Sequence, residues 1–135
     1  MNFITATKLF ISNSFDFNGR ASRWEYFGGL LGTGILLFIS ALLNVFLTFV
    51  SVSIFPSAYF LVLIMIAVNF VAYIFLFFAN LSAGIRRMHD VGKSGWNVLW
   101  GFIPLGALYV LYLNLQPSET GINIWGQQPE HTKIN

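Results

Sequence analysis

The chain has 135 residues, of which 56% are hydrophobic and only 9% charged, with no cysteine and a formal net charge of +2. A soluble domain carries about a quarter charged residues, so this composition, with a mean hydropathy of +0.71, excludes an ordinary soluble fold and points to an integral membrane protein. The lack of cysteine excludes a disulfide framework and a thiolate metal site; no cofactor, no metal and no nucleic-acid partner are expected.

Residues 1–14 place Phe3, Thr7, Phe10 and Ser14 at helical spacing, with Ile4 and Ile11 nearby. An interfacial helix lying on a membrane fits this pattern, and so does a partly ordered terminus. One lysine, a short apolar patch and no small-residue cleavage site argue against a secretory signal peptide, so the first membrane helix is expected to serve as its own uncleaved targeting signal. Asn18-Gly19 is a turn dipeptide. Ser22 and Glu25 stand three apart before an apolar run, the spacing of a capping box, and they start the first long helix at Ser22. Trp24, Tyr26 and Phe27 fall where an aromatic belt belongs.

From Tyr26 to Ile85 there is no Asp, Glu, Lys or Arg. That run is too long for one bilayer span, and its only cluster of turn formers is Ser51, Ser53, Pro56 and Ser57. The expected spans are about 23–52 and 58–88, joined by an uncharged hairpin. A third apolar stretch, about 94–115, begins at Ser94 as N-cap and carries Pro104 between two glycines, which predicts a kink or a break; a re-entrant course is the other reading. In a full crossing, Tyr109 and Tyr112 approach the far interface and Gln116-Pro117 ends the helix. The expectation is an all-α membrane protein with three transmembrane helices in one membrane domain. It has an N-terminal segment 1–21, a helical core 22–116 and a polar tail 117–135 anchored by Ile122, Ile124 and Trp125.

Polar residues inside the first two spans are not scattered. Thr33, Ser40, Asn44, Thr48 and Ser51 recur at helical spacing on one face, and Asn69, Tyr73, Asn80 and Gly84 do so on the other helix. Folding the hairpin near Phe55 sets Asn44 against Asn69, Ser40 against Tyr73 and Thr33 against Asn80, where amides and hydroxyls can satisfy one another. A solute pathway is the competing reading, but no charge lines the stripe. Gly28 and Gly32 form a GxxxG that permits close helix approach.

Charge sets the expected topology. Lys8, Arg20 and Arg23 precede the first span, Arg86, Arg87 and Lys93 follow the second, and the hairpin between has none. Positive-inside bias puts the N-terminus and the 86–95 loop in the cytoplasm. Gly19, Arg20, Arg23 and Glu25 then share a membrane face with Arg86, Arg87, His89, Asp90, Lys93 and Trp96. Arg86 and Asp90, four apart, can pair on one helical face, and Glu25 is a second carboxylate for Arg86 or Arg87, while Gly92 suits a C-cap. The plainest reading is an ion-pair network that fixes helix ends; basic residues beside a membrane also suit anionic headgroups. His89-Asp90 suggests a catalytic pair, yet sequence neighbours on a helix do not face each other, and no nucleophile accompanies them. Gly92-Lys93-Ser94 lacks the upstream glycine of a phosphate loop.

Phe17-Asn18-Gly19-Arg20-Ala21-Ser22-Arg23-Trp24-Glu25-Tyr26 resembles the F-x-G-R-x-x-R-x-E-Y opening of the DUF805 family. Arg86-Arg87-Met88-His89-Asp90 with Ser94-Gly95-Trp96 resembles its R-R-x-H-D-x-x-x-S-G-W centre. Ile103-Pro104 and Gly121-Ile122-Asn123-Ile124-Trp125-Gly126-Gln127-Gln128-Pro129 resemble its ending. The resemblance spans residues 15–129, departs mainly in a longer first hairpin, and implies a bacterial inner-membrane location but no established activity. The expected function is non-enzymatic: an accessory, assembly or anionic-lipid-contacting protein, with a membrane-protein partner or a second copy as further contacts. The alternatives are a channel or transporter subunit built on the polar stripe, and, least supported, a hydrolase using His89.

Overall fold

The computed structural model describes residues 2–54 and 59–129. It is all-helical: α1 (Phe3–Ser12), α2 (Arg23–Ile54), α3 (Tyr59–Asp90), a 3₁₀ segment (Gly95–Phe102) and α4 (Pro104–Leu115). The described residues hold no strand, only an isolated bridge between Asn123 and Gly126.

Helices α2 and α3 each run 32 residues, about 48 Å at 1.5 Å per residue, against a hydrocarbon core of about 30 Å. The most apolar window of each has none of its residues buried. Phe38, Phe46, Phe60 and Phe70 stand at least 61% exposed. A water-soluble protein does not display such a contiguous apolar surface, so the two helices mark a membrane protein. Their observed ends lie within two residues of the expected ones. The turn expected at Pro56 and Ser57 lies outside the described residues, and α2 continues through Ser51 and Ser53.

Local chemistry sets the other helix ends. Ser22 Oγ accepts the Glu25 amide at 3.2 Å. Only that half of the expected capping box forms, because the Glu25 carboxylate turns away to Arg86. Helix α3 closes in a Schellman motif: Gly92 takes φ +72°, its amide donates to the His89 carbonyl at 3.1 Å, and the Lys93 amide donates to the Met88 carbonyl at 2.9 Å.

The N-terminal residues form a genuine helix. Asn2 caps α1 by accepting the Thr5 amide at 2.8 Å, and α1 lies on the first turns of α2. A Cβ at Gly28 would come 2.8 Å from Ala6 Cβ, and Cβ atoms at Gly29 and Gly32 would run into Phe10 and Thr7. The GxxxG therefore receives a helix of the same chain. Phe10, Ala79 and Ala83 make one small core there; Met88, Val110 and Leu113 make a second at the end of α3.

The third apolar stretch does not form a third long helix. It breaks at Ile103-Pro104 into the 3₁₀ segment, about 16 Å long, and α4, about 18 Å. Both ends return to the same end of α3. Val98 reaches Gly84 and Gly95 reaches Ile85 and His89, while Arg87 binds the Asn114 and Gln116 carbonyls. A glycine at 106 lets the returning helix pass against the Trp100 carbonyl, where any Cβ would collide. The count of three spans is not confirmed: two helices among the described residues are long and apolar enough to cross a membrane, and Tyr109 and Tyr112 lie back near the end of α3. They line a groove with Lys93 and Gln116, beside the start of the stretch.

The polar stripe meets only at its centre. Ser40 Oγ donates to Asn69 Oδ1 at 2.7 Å, and Asn69 Nδ2 donates to Asn44 Oδ1 at 3.3 Å. The remaining amide hydrogens go to the Ser40 and Met65 carbonyls one turn back, at 2.7 and 2.8 Å. Ser40 pairs with Asn69 rather than with Tyr73, which is 48% exposed. Thr33 and Asn80 bond to carbonyls of their own helices, Gly29 and Leu76, instead of to each other. Thr48 is exposed, its place on the inner face taken by Leu47, and Gly84 faces the 3₁₀ segment.

Candidate functional site

The ionisable residues converge where α2 begins, α3 ends and the tail leaves α4. Residues 13–21 are fastened along α3: Ser82 Oγ donates to the Asn13 carbonyl at 2.8 Å, and the Ala21 amide donates to the Arg86 carbonyl at 3.0 Å. Asn18-Gly19 makes the expected turn, with Gly19 at φ +77°. That turn delivers Arg20 to Asp90.

Asp90, fully buried, is the hub. Its Oδ1 accepts Arg20 Nε at 3.0 Å, and its Oδ2 accepts Arg87 Nη1 and the Ser118 hydroxyl. Arg20 also donates to the Asp90 carbonyl at 3.4 Å and, on the tail, to the Gly121 carbonyl at 2.8 Å, the Gly126 carbonyl at 3.4 Å and the Glu119 carbonyl. Arg87 donates to the Asn114 carbonyl at 3.1 and 3.0 Å and to the Gln116 carbonyl. Planar forks with several donors suit this work; an ammonium could not hold so many carbonyls at once. Arg86 pairs with Glu25 across α2 and α3, but its Nε and Nη2 are buried with no acceptor among the described residues. Asp90 thus pairs with Arg87 and Arg20, and Glu25 with Arg86; the i, i+4 pair of Arg86 with Asp90 does not form. Asp90 points toward the tail, and Arg86 toward α2.

His89 is 8% exposed. Its Nδ1 lies 3.1 Å from the Gly19 carbonyl. A carbonyl only accepts, so Nδ1 carries the hydrogen. The ring stacks on Trp125, with centroids 4.7 Å apart and planes 8° from parallel. The Asn123 amide donates to the His89 carbonyl at 3.0 Å and to Glu119 at 2.8 Å.

Of the residues expected to form the cluster, Gly19, Arg20, Glu25, Arg86, Arg87, His89 and Asp90 come together. Arg23 stays at the surface, reaching the Leu115 carbonyl at 3.4 Å. Lys93 is exposed and Trp96 is 78% exposed, so neither joins the knot. Sequence reasoning left Ser118, Glu119 and Asn123 out of the cluster and placed Trp125 only as a tail anchor; the Gly121, Asn123 and Gly126 pattern was the visible signal. Ile122 and Ile124 are 78% and 87% exposed, leaving Trp125 as the tail's anchor. Among the described residues no three of His, Cys, Asp and Glu gather as a metal-ligand set.

Two lipid-length apolar helices closed at one end by a buried guanidinium–carboxylate knot define a small helical membrane protein. The pattern of the DUF805 family, described as a protein family of unknown function, matches residues 14–127. The chain belongs to that family. No curated protein and no solved structure matches it.

Proposed function

We propose that this is a non-enzymatic inner-membrane protein of bacteria, acting as an accessory or assembly protein that contacts anionic lipid. In this reading α2 and α3 cross the bilayer, α1 lies in the interface, and residues 94–116 dip in and return. The N-terminus, the 86–95 loop and the tail then share the cytoplasmic side, by the positive-inside bias. The observation that carries this reading is the inward commitment of the cluster. The Glu25 and Asp90 carboxylates are held by guanidinium groups, and Arg20 and Arg87 also bind tail and α4 carbonyls.

Headgroup contact falls instead to the outward basic residues Lys8, Arg23 and Lys93, each exposed. A basic surface beside the membrane attracts anionic lipid by about 1 kcal/mol per residue. The bare apolar flanks of α2 and α3 offer room for a membrane-protein partner or a second copy. The channel reading loses its motive, because Ser40, Asn44 and Asn69 satisfy one another within the helix pair.

Native mass spectrometry from mixed-lipid nanodiscs tests this. Anionic lipid should be retained over phosphatidylcholine, and replacing Lys8, Arg23 and Lys93 together by Ala should abolish the preference while leaving the fold intact. Equal retention of both lipids by the unaltered protein would sink the reading.

A further inference from the structure

A cleft of about 420 Å³ opens between α3, the 3₁₀ segment and the tail, a size suited to a small ligand or a headgroup. Ile85 and Leu99 form apolar walls, Trp96 and Trp125 flank it, and its polar groups are His89 and Ser94. None of the charged pairs of the knot opens into it.

His89 brings an unused acceptor to this cleft. With Nδ1–H bound to the Gly19 carbonyl, the neutral imidazole presents a lone pair at Nε2. No described donor reaches that atom, although His89 as a residue is only 8% exposed. Nε2 abuts Gly95, where an added Cβ would stand 3.2 Å away, so glycine keeps the approach open. The stack on Trp125 and the Gly19 bond together hold the ring in this orientation. Ser94 Oγ accepts the Trp96 amide at 3.4 Å, which leaves its O–H free to donate.

We propose that this cleft holds the headgroup of one phospholipid bearing a primary ammonium, of the phosphatidylethanolamine kind. An ammonium N–H donates to His89 Nε2, and a phosphate oxygen accepts from Ser94. The upper acyl segment lies against Ile85 and Leu99. Two features select a cationic donor: the acceptor is a neutral imidazole with a lone pair facing the cleft, and the exposed Trp96 beside it offers an indole of the kind that attracts cations. The site is separate from the outward basic residues and does not depend on their anionic contacts.

The test uses the full chain, with ¹⁵N-labelled histidine and His131→Gln to leave one imidazole, in phosphatidylcholine nanodiscs. Added phosphatidylethanolamine should move the His89 Nε2 resonance to lower frequency. Native mass spectrometry should then retain one such lipid at least tenfold over phosphatidylcholine, whose methylated nitrogen has no N–H. Leu99→Trp, at a side chain 46% exposed, should fill the cleft and remove both signals without lowering thermal stability. Because both lipids are zwitterionic, the result is independent of any anionic-lipid preference. An unmoved Nε2 resonance, equal retention of phosphatidylcholine, stronger retention of phosphatidylglycerol in the cleft, or retention indifferent to Leu99→Trp would each overturn the proposal.

Discussion

Asp90 is the residue with most depending on it. Replacing it by Asn leaves the Arg20 and Arg87 guanidinium groups buried beside a neutral amide. Removing one partner of a buried pair costs about 3–5 kcal/mol, so Asp90→Asn should show a large fall in melting temperature in detergent and early proteolysis of the tail. A melting temperature within a degree or two of the parent would show that the knot is not structural. Arg86 differs, since among the described residues its guanidinium has Glu25 as its one partner and two of its nitrogens go unsatisfied. A buried pair of that kind can be replaced by apolar groups at little net cost, whereas removing one member strands the other. Arg86→Met alone should therefore destabilise strongly, and adding Glu25→Gln should recover much of the loss. Additive losses in this double-mutant cycle would contradict the pairing. Gly92→Ala places a side chain at φ +72°, in a region that costs about 1–2 kcal/mol for other residues, and against the Glu119 carboxylate at 2.8 Å. A modest but clear loss of thermal stability is expected.

At the scale of elements, α1 is held by close approach rather than by charge. Gly29→Leu should expel Phe10 and lift α1 from α2. A cysteine introduced at Ala6, fully buried in the parent, should then change from unreactive to reactive toward a water-soluble maleimide; continued protection would mean that α1 tolerates the bulk. The stretch 94–116 carries its own prediction. Its two ends both contact the end of α3, so reporters fused to the N- and C-termini should report the same side of the membrane. Opposite sides would require the 3₁₀ segment and α4 to straighten into a crossing helix, breaking the Arg87 bonds to the Asn114 and Gln116 carbonyls.

Across the whole molecule, packing is concentrated at one end. There α1, the 3₁₀ segment, α4 and the tail surround the base of the α2–α3 pair, while among the described residues the far halves of those helices meet each other. Ser40, Asn44 and Asn69 are the polar contact in that bare region, and interhelical bonds of this type contribute about 0.6–2 kcal/mol each in a bilayer. Asn69→Leu should loosen the far end of the pair, read as increased helix separation between spin labels on exposed faces of α2 and α3, with the knot unaffected. No change in separation would mean that the apolar packing of the two helices suffices.

What the amino-acid sequence determined by itself is local. The length of the charge-free run, the Ser22 cap, Gly92 at the α3 terminus and the break at Pro104 follow from hydropathy and backbone chemistry within a few residues, and so α2 and α3 are legible without coordinates. The convergence of Gly19–Glu25 with the end of α3 was also legible, since two charged islands flanking apolar helices must meet at one membrane surface. Tertiary structure alone decided the partners. Arg86 could reach Asp90 by spacing, yet Glu25 of α2 took Arg86, and Asp90 took Arg20 from the segment before α2 together with Arg87 one turn back; the i, i+4 rule says nothing about a second helix. It also decided that Gly28 and Gly32 receive α1, that the third apolar stretch turns back, and that Trp125 caps His89. Those outcomes depend on carbonyls and ring faces exposed by turns, which leave no periodic trace in a sequence. A third apolar stretch of sufficient length can cross a bilayer; whether it does depends on where its end finds hydrogen bonds, and here the Arg87 guanidinium supplies them at the end from which the stretch began.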